Sequence, residues 1–266
     1  MSLYYKEHPD YFDMCLKSLS EQTLPADEIV IVFDGPVSQT LENVALSWQK
    51  QLPITIVRLE KNQGLGTALN IGLEHCQYEL VARMDTDDLC VSDRFEKQIA
   101  YLGAHPDIAL VGGNITEYSE DLSEVLAQRI VPNSTEDIQK RIVKYNPFNH
   151  GTVLFKKEAV TKVGNYQPHL FMEDYNLWLR LVAAGYKLSN LNEFFLKSRS
   201  GDNLIGRRKG LVYIKSEYQL AQLKYSLGLQ NAFSAGLLFL ARSLPRLLPT
   251  AILKHVYQFV RKSAAT

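Results

Sequence analysis

Three carboxylates fall within four residues at Asp85-Thr86-Asp87-Asp88, directly after the apolar run 79–84. Like charges so close repel one another unless a cation or a set of donors neutralises them. Hard cations take oxygen ligands, and Mg²⁺ uses one or two carboxylates together with substrate phosphates. The cluster therefore reads as a metal–diphosphate site, or else as a polar strand-end loop in which Asp88 caps the next helix. Asp34, in Phe33-Asp34-Gly35-Pro36, ends another apolar run and offers a second acidic strand end. A second pair, Glu173-Asp174, follows the apolar Leu170-Phe171-Met172. Acidic residues suit a first helical turn because of the helix dipole. An apolar surround would also raise a carboxylate's pKa and make it a serviceable base, so capping and catalysis both stand. Asn62-Gln63-Gly64-Leu65-Gly66 lacks the Gly-Lys-Ser/Thr ending of a phosphate loop and the dinucleotide glycine spacing. It reads as a turn that opens a helix.

The elements that must hold these groups alternate. Helix-like periodicity over 11–20, 41–51, 66–76 and 93–102 interleaves with strand-like runs over 28–33, 54–59 and 79–84. That alternation predicts a parallel, doubly wound sheet with ligands at the carboxyl ends of its strands. Both Asp34 and the Asp85–Asp88 cluster fall at such ends. A strand is expected before the first helix, and residues 1–5 leave room for only part of one. The pattern over 108–131 is looser and strand-like, 135–145 is helical, and 151–155 is a strand. Residues 173–184 form an amphipathic helix with Leu177, Trp178, Leu181 and Val182 inward and Gly185 as its stop. Beyond about residue 210 the chain is helical, Leu-rich and basic.

Composition bounds the function. The 266 residues are 46% apolar and 22% charged with zero formal net charge, which excludes disorder and a chain-wide electrostatic nucleic-acid binder. Six basic and no acidic residues follow Glu217, so a basic tail follows an acidic body. The three cysteines, Cys15, Cys76 and Cys90, show no paired spacing, pointing to a reducing compartment rather than a disulfide framework or zinc knuckle. No signal peptide opens the chain. The most apolar stretch, 232–253, is interrupted by Arg242, Pro245, Arg246 and Pro249, too broken for a spanning helix. The expectation is a cytoplasmic protein, peripheral on the inner face of the cell membrane.

Taken in order, Ser18-Leu19 with Gln22-Thr23, the run from Glu28 to Asp34-Gly35, Asn62 to Asn70, Arg83-Met84-Asp85-Thr86-Asp87-Asp88, Arg94 with Gln98, and Glu173-Asp174 with Trp178 resemble the family 2 inverting glycosyltransferases of GT-A fold. The likeness covers about residues 1–200, and the tail is similar to bacterial polysaccharide and O-antigen members. It implies a GT-A, Rossmann-like, mostly parallel α/β sheet over 1–205, with a basic amphipathic helical tail over 206–266. The resemblance puts Asp34 on the nucleotide base and Asp85 and Asp87 in the family's DxD motif, gripping ribose and a divalent metal, Mn²⁺ or Mg²⁺. Asp88 shares the metal, Asn62 and Arg83 border the nucleotide, and Arg207, beside Arg208, reaches the diphosphate or is a bland basic turn. Asp174 becomes the general base. His150 and Glu173 border the acceptor, with a packed histidine the other reading of His150. Two departures stand out. The family's Asp-Asp-Gly-Ser reads Phe33-Asp34-Gly35-Pro36 here, which puts base selectivity in question, and the Gln-x-x-Arg-Trp motif of processive synthases is absent, which favours single-sugar transfer.

The implied reaction is a single inverting displacement, moving one hexose from a UDP-sugar to a lipid-linked saccharide in surface-polysaccharide assembly. Over 251–262, Ile252, Leu253, Val256, Tyr257, Phe259 and Val260 share one helical face, opposite Lys254, His255, Gln258, Arg261 and Lys262. Such a helix suits a lipid interface, or packs on the domain or on a second copy in a homodimer. Two other readings remain at this level: a nucleotidyltransferase, though no basic Gly-rich triphosphate loop is evident, and a non-catalytic sugar-nucleotide or glycan-binding module.

Overall fold

A computed structural model describes residues 1–200 and 210–247. In chain order the elements are β1 (Ser2–Leu3), α1 (Pro9–Ser20), β2 (Ile29–Phe33), α2 (Gln39–Trp48), β3 (Ile54–Arg58), α3 (Leu65–His75), β4 (Leu80–Ala82), β5 (Leu89–Cys90) and α4 (Arg94–Ala104). There follow β6 (Ile108–Tyr118), β7 (Val125–Arg129), α5 (Thr135–Arg141), β8 (Leu154–Lys156), α6 (Lys157–Lys162), α7 (Glu173–Ala183), β9 (Lys187–Arg199), α8 (Gly210–Ser226) and α9 (Ala232–Ser243).

The helices and strands expected for the first 104 residues form within a few residues of their expected ends. In β2 every residue is buried, as suits β-branched and aromatic side chains covered on both faces. Parallel pairing, however, is confined to β1–β2–β3 and to β6–β9. The pairs β4–β8, β6–β8, β6–β7 and β5–β9 are antiparallel. Connection length explains one of these. The 119–124 turn, in which Ser119 N–H donates to the Glu124 carbonyl and Asp121 takes bonds from Ser119 and Ser123, is too short for a parallel crossover. The described residues thus make two sheets, β1-β2-β3 and β4-β8-β6-β9-β5, with β7 added at β6.

The face of α1 expected inward is buried at Phe12, Cys15, Leu16 and Leu19. Helix α7 is more than amphipathic: Leu177, Trp178, Leu179 and Leu181 are fully buried, and Tyr175, Asn176 and Arg180 nearly so. Each such apolar side chain is worth about 1.5–3 kcal/mol, so α7 is anchored in a large buried apolar cluster. The Arg180 guanidinium is satisfied by the Asn176 side chain and the carbonyls of Val163 and Asn165. From the C-terminal part, Tyr213 and Leu220 of α8 enter the same core. Arg242 of α9 pairs with the buried Glu217 of α8 and donates to the Lys144 carbonyl.

Candidate active site

Asp34 stands at the carboxyl end of β2 and is 3% exposed. Its Oδ1 accepts the Gln63 N–H at 2.6 Å and its Oδ2 the Gly64 N–H at 3.0 Å, while Asn62 Nδ2 donates to the Asp34 carbonyl at 3.1 Å. The carboxylate thus holds the 62–64 turn to β2. Gly64, at φ +87°, leads directly into α3, as the glycine pattern predicted. Gly35 is required by close approach as well as by its φ of +85°, since a Cβ there would lie 2.6 Å from Asn62 N.

The Asp85–Asp88 cluster follows β4. Asp85 makes a two-point ion pair with Arg83, whose side chain is 5% exposed. Gly151 lets the chain lie against this pair: a Cβ there would sit 3.2 Å from Asp85 Oδ2 and 3.4 Å from Arg83 Nη1. Asp88 is buried, its Oδ1 accepting the Arg199 N–H at 3.0 Å. It points at β9 rather than capping a helix, because α4 begins after Asp93. Asp87 differs from both. Its main-chain carbonyl accepts from Arg199, yet no side chain of the described residues donates to its carboxylate. Burial, then the charge of Asp85, raises its pKa. Asp88 is raised further by burial and by its two acidic neighbours.

The second pair opens α7. Asp174 Oδ2 accepts from Asn146 Nδ2 at 2.6 Å and Oδ1 from the Tyr175 N–H at 2.7 Å. Burial raises its pKa, and those two donors restrain the rise. Glu173 is pushed up to about 7 by burial and then by the Asp174 charge. A Cβ on Gly66 would lie 3.6 Å from Glu173 Cβ, so the starts of α3 and α7 abut. His150 lies in a short 3₁₀ turn with its Nε2 2.9 Å from the Tyr166 hydroxyl. Burial, then the Arg83 charge, lowers its pKa well below the usual histidine range, so the ring is neutral. Tyr166 bridges the two acidic pairs: burial raises its pKa, Arg83 lowers it, and Asp174, Glu173 and Asp85 raise it further.

The structure therefore brings Arg83, Asp85, His150, Tyr166, Glu173 and Asp174 into one electrostatic neighbourhood, with Asp87 beside Asp85. Arg207 and Arg208 lie outside the described residues. Asn146, Tyr166 and Arg199 were missed by the sequence reading. Asn146 lies 28 residues from Asp174, and nothing in its local sequence marks the bond between them. Tyr166 sits in a segment without periodicity, and nothing near Arg199 announces its grip on Asp87 and Asp88.

No three His, Cys, Asp or Glu side chains among the described residues form a ready-made metal cage. A carboxylate with no side-chain donor among the described residues, held next to a second one, is nonetheless a deficit of positive charge. It suits a hard cation whose remaining ligands come from a diphosphate.

Comparison with known proteins follows from this geometry. The family model described as glycosyl transferase family 2 matches residues 3–164. The amylovoran biosynthesis glycosyltransferase AmsE of Erwinia amylovora is 48% identical over 98% of each chain. An Escherichia coli UDP-Gal:alpha-D-GlcNAc-diphosphoundecaprenol beta-1,3-galactosyltransferase is 33% identical over 98% of this chain and 94% of its own. Among solved structures, S. aureus TarS 1-349 in complex with UDP-GlcNAc superposes with a TM-score of 0.68 at 17% identity, covering 92% of this chain and 71% of that one. The fold is GT-A.

Proposed function

The chain belongs to glycosyl transferase family 2, and on that premise we propose that it moves one hexose from a UDP-sugar to a lipid-diphosphate-linked saccharide, inverting the anomeric centre, in the assembly of a surface polysaccharide. The family displaces the two other readings weighed from the sequence, nucleotidyl transfer and a binding module. The observation that carries the proposal is the Asp174 carboxylate. It is aimed by Asn146 and Tyr175, raised in pKa, and set in the same neighbourhood as the acidic end of β4.

The chemistry follows from what each group can do. Asp174 accepts the proton of an acceptor hydroxyl as that oxygen attacks the anomeric carbon from the face opposite the leaving diphosphate. Asn146 fixes the carboxylate's direction. Neutral His150 and Tyr166 line the acceptor side without adding charge. Asp87, with Asp85 beside it, would hold a divalent cation, Mn²⁺ or Mg²⁺. When bound, such a cation supplies Lewis-acid neutralisation of the nucleoside diphosphate. Asp34 holds the 62–64 turn at the nucleotide side, and Arg207 is assigned to the diphosphate.

A lipid-linked acceptor calls for a route to the membrane surface. No helix among the described residues is long and apolar enough to cross one. Along α9 and the turn that continues it, Phe233, Leu237, Leu240, Leu244 and Leu247 are all exposed at spacings that share one face. That stripe supports peripheral contact, together with the basic 251–262 segment, which lies outside the described residues. The relative acting on GlcNAc-diphosphoundecaprenol makes UDP-galactose and a GlcNAc-diphospho-lipid the first pair to try. Incubation with Mn²⁺ should yield a β-linked disaccharide lipid by NMR. Retained configuration would overturn single displacement. Transfer from GDP-sugars only would overturn the donor assignment.

A further inference from the structure

A turn that ends a helix leaves carbonyl groups without intrahelical partners, and they need donors from elsewhere. Past the end of α5, three consecutive carbonyls find them on three different helices. The Tyr175 hydroxyl of α7 donates to the Ile142 carbonyl, Lys224 Nζ of α8 to that of Val143 at 2.7 Å, and Arg242 Nη1 of α9 to that of Lys144 at 2.7 Å. Two residues later comes Asn146, whose Nδ2 reaches Asp174 at 2.6 Å. The turn that delivers Asn146 to the carboxylate is thus set by side chains from other parts of the chain.

Lys224 stands apart among these donors. The buried face of α8 consists of Tyr213, Ser216, Glu217, Leu220 and Lys224, and Lys224 is 2% exposed. Burial, then the Arg242 charge, lowers its pKa to about 7, while Glu217 raises it. Glu217 already has its cation in Arg242, with Arg246 at 3.9 Å. No carboxylate of the described residues lies within ion-pair distance of Lys224. Stability is a poor reason for such a group, because apolar residues of similar volume often replace buried charges without loss. What the ammonium does contact is the Val143 carbonyl, three residues before Asn146, and the face of the Tyr175 ring, 5.0 Å from its centroid and one residue after Asp174. It therefore bridges the two segments that carry the Asn146–Asp174 bond.

We propose that Lys224 is a positioning residue for glycosyl transfer: by joining the Val143 carbonyl to the Tyr175 ring, it sets the 142–146 turn against the start of α7 so that Asn146 meets Asp174. Buried as it is, it acts through those neighbours rather than on substrate. Tyr175 and Arg242 make the flanking ties. Ser216, on the same face of α8, holds the other approach to α7: its Oγ donates to the Leu170 carbonyl, and its own carbonyl lies 2.9 Å from His169 Nε2. The helices α8 and α9 thereby complete the site of the base without placing a reacting group in it. The inference rests on Asp174 being the general base.

The test uses the full chain, native and as Lys224→Met, Asn146→Ala, the double variant and Tyr175→Phe. Lys224→Met keeps the apolar stem and removes the ammonium. It should lower kcat by about tenfold, leave the donor dissociation constant within about twofold, and move the acid side of the kcat/KM profile to higher pH, as Asn146→Ala does. Its Tm should stay within about 4 °C of the native value. Added to Asn146→Ala, it should cost no more than about twofold further, because residues acting through one contact are not additive. A full tenfold loss in that background as well would overturn the positioning role, since a direct effect of the charge on Asp174 survives without Asn146. Tyr175→Phe removes only the hydroxyl tie to Ile142 and should act in the same direction by about threefold, which keeps the comparison available should Lys224→Met not fold. Nitrogen-edited NMR of the Asn146 side-chain amide reads the geometry apart from activity: its protons should exchange about tenfold faster in either variant than in the native protein. Unchanged exchange in the folded variants would overturn the proposal. Faster exchange with unmoved kinetics would instead remove the Asn146–Asp174 pair from the reaction, and with it the reading of Asp174 as the base.

Discussion

The two acidic clusters of this molecule share burial and differ in how their charge is balanced. At the end of β4, Asp85 is balanced by Arg83 and Asp88 is bonded by the Arg199 main chain, while the Asp87 carboxylate has no side-chain donor among the described residues. At the start of α7, neither Glu173 nor Asp174 carries an ion pair among the described residues. There, burial and amide donors set the proton affinity. In the first, burial and the crowding of like charges raise the pKa of Asp87 and Asp88, a repulsion that a divalent cation would relieve. In the second, burial without any cationic partner among the described residues raises both pKa values, that of Glu173 to about 7, which suits proton transfer. Charge balance, rather than the count of acids, separates a cation site from a base.

The contrast breaks first at Asp174. Asp174→Asn should lower kcat by about 10³-fold, within the range for loss of a general base, while the donor dissociation constant stays within about twofold. Turnover near that of the native protein would remove Asp174 as the base, and an equal loss of donor binding would move it to the wrong cluster. Next comes Asp87→Asn, expected to weaken Mn²⁺-dependent donor binding by about 10²-fold, read by titration with and without the metal. The companion Asp88→Asn should lower Tm and leave the metal dependence in place, because Asp88 is held by β9. If Asp88→Asn abolished metal dependence and Asp87→Asn did not, the assignment of the two would have to be exchanged.

Much of this was legible before any coordinates. Periodicity located α1, α3 and the buried β2, and the Gly64 turn opens α3 as read. What escaped did so for physical reasons. Strand β9 runs for 13 residues, but Asn190, Asn192 and Glu193 interrupt its alternation. Asn190 is nevertheless buried, because its Nδ2 donates to the Pro132 and Pro147 carbonyls, bonds that no pattern of apolar residues announces. The antiparallel half of the fold was hidden for a similar reason, since pairing direction depends on connections rather than on strand composition. At the site, residue types marked the acids but not their partners. Asn146 is 28 residues from Asp174 and Arg199 is 111 from Asp88, and a single sequence carries no sign of such pairings.

Those partners supply the finer tests. Asn146→Ala removes a donor that favours ionised Asp174, so the Asp174 pKa should rise further. The acid side of the kcat/KM profile should then shift to higher pH, with kcat at its plateau lower by about tenfold. A tenfold loss with an unmoved profile would make Asn146 a packing residue only.

The smallest effect separates the two acids of the α7 pair. Glu173 is raised to about 7 in the folded protein from an ordinary value of about 4.3 in the unfolded chain. Between those values the native state binds the extra proton, so the stability linked to Glu173 is fully present below about pH 4 and falls as pH rises through about 7. Glu173→Gln cannot ionise and escapes that fall. Relative to the native chain the variant should gain about 1 kcal/mol between pH 5 and pH 8, a discounted figure because the carboxyl is only partly withdrawn from water. Denaturant unfolding at the two pH values measures it. A pH-independent difference would mean that Glu173 is ionised throughout, leaving proton handling at this end of the site to Asp174 alone.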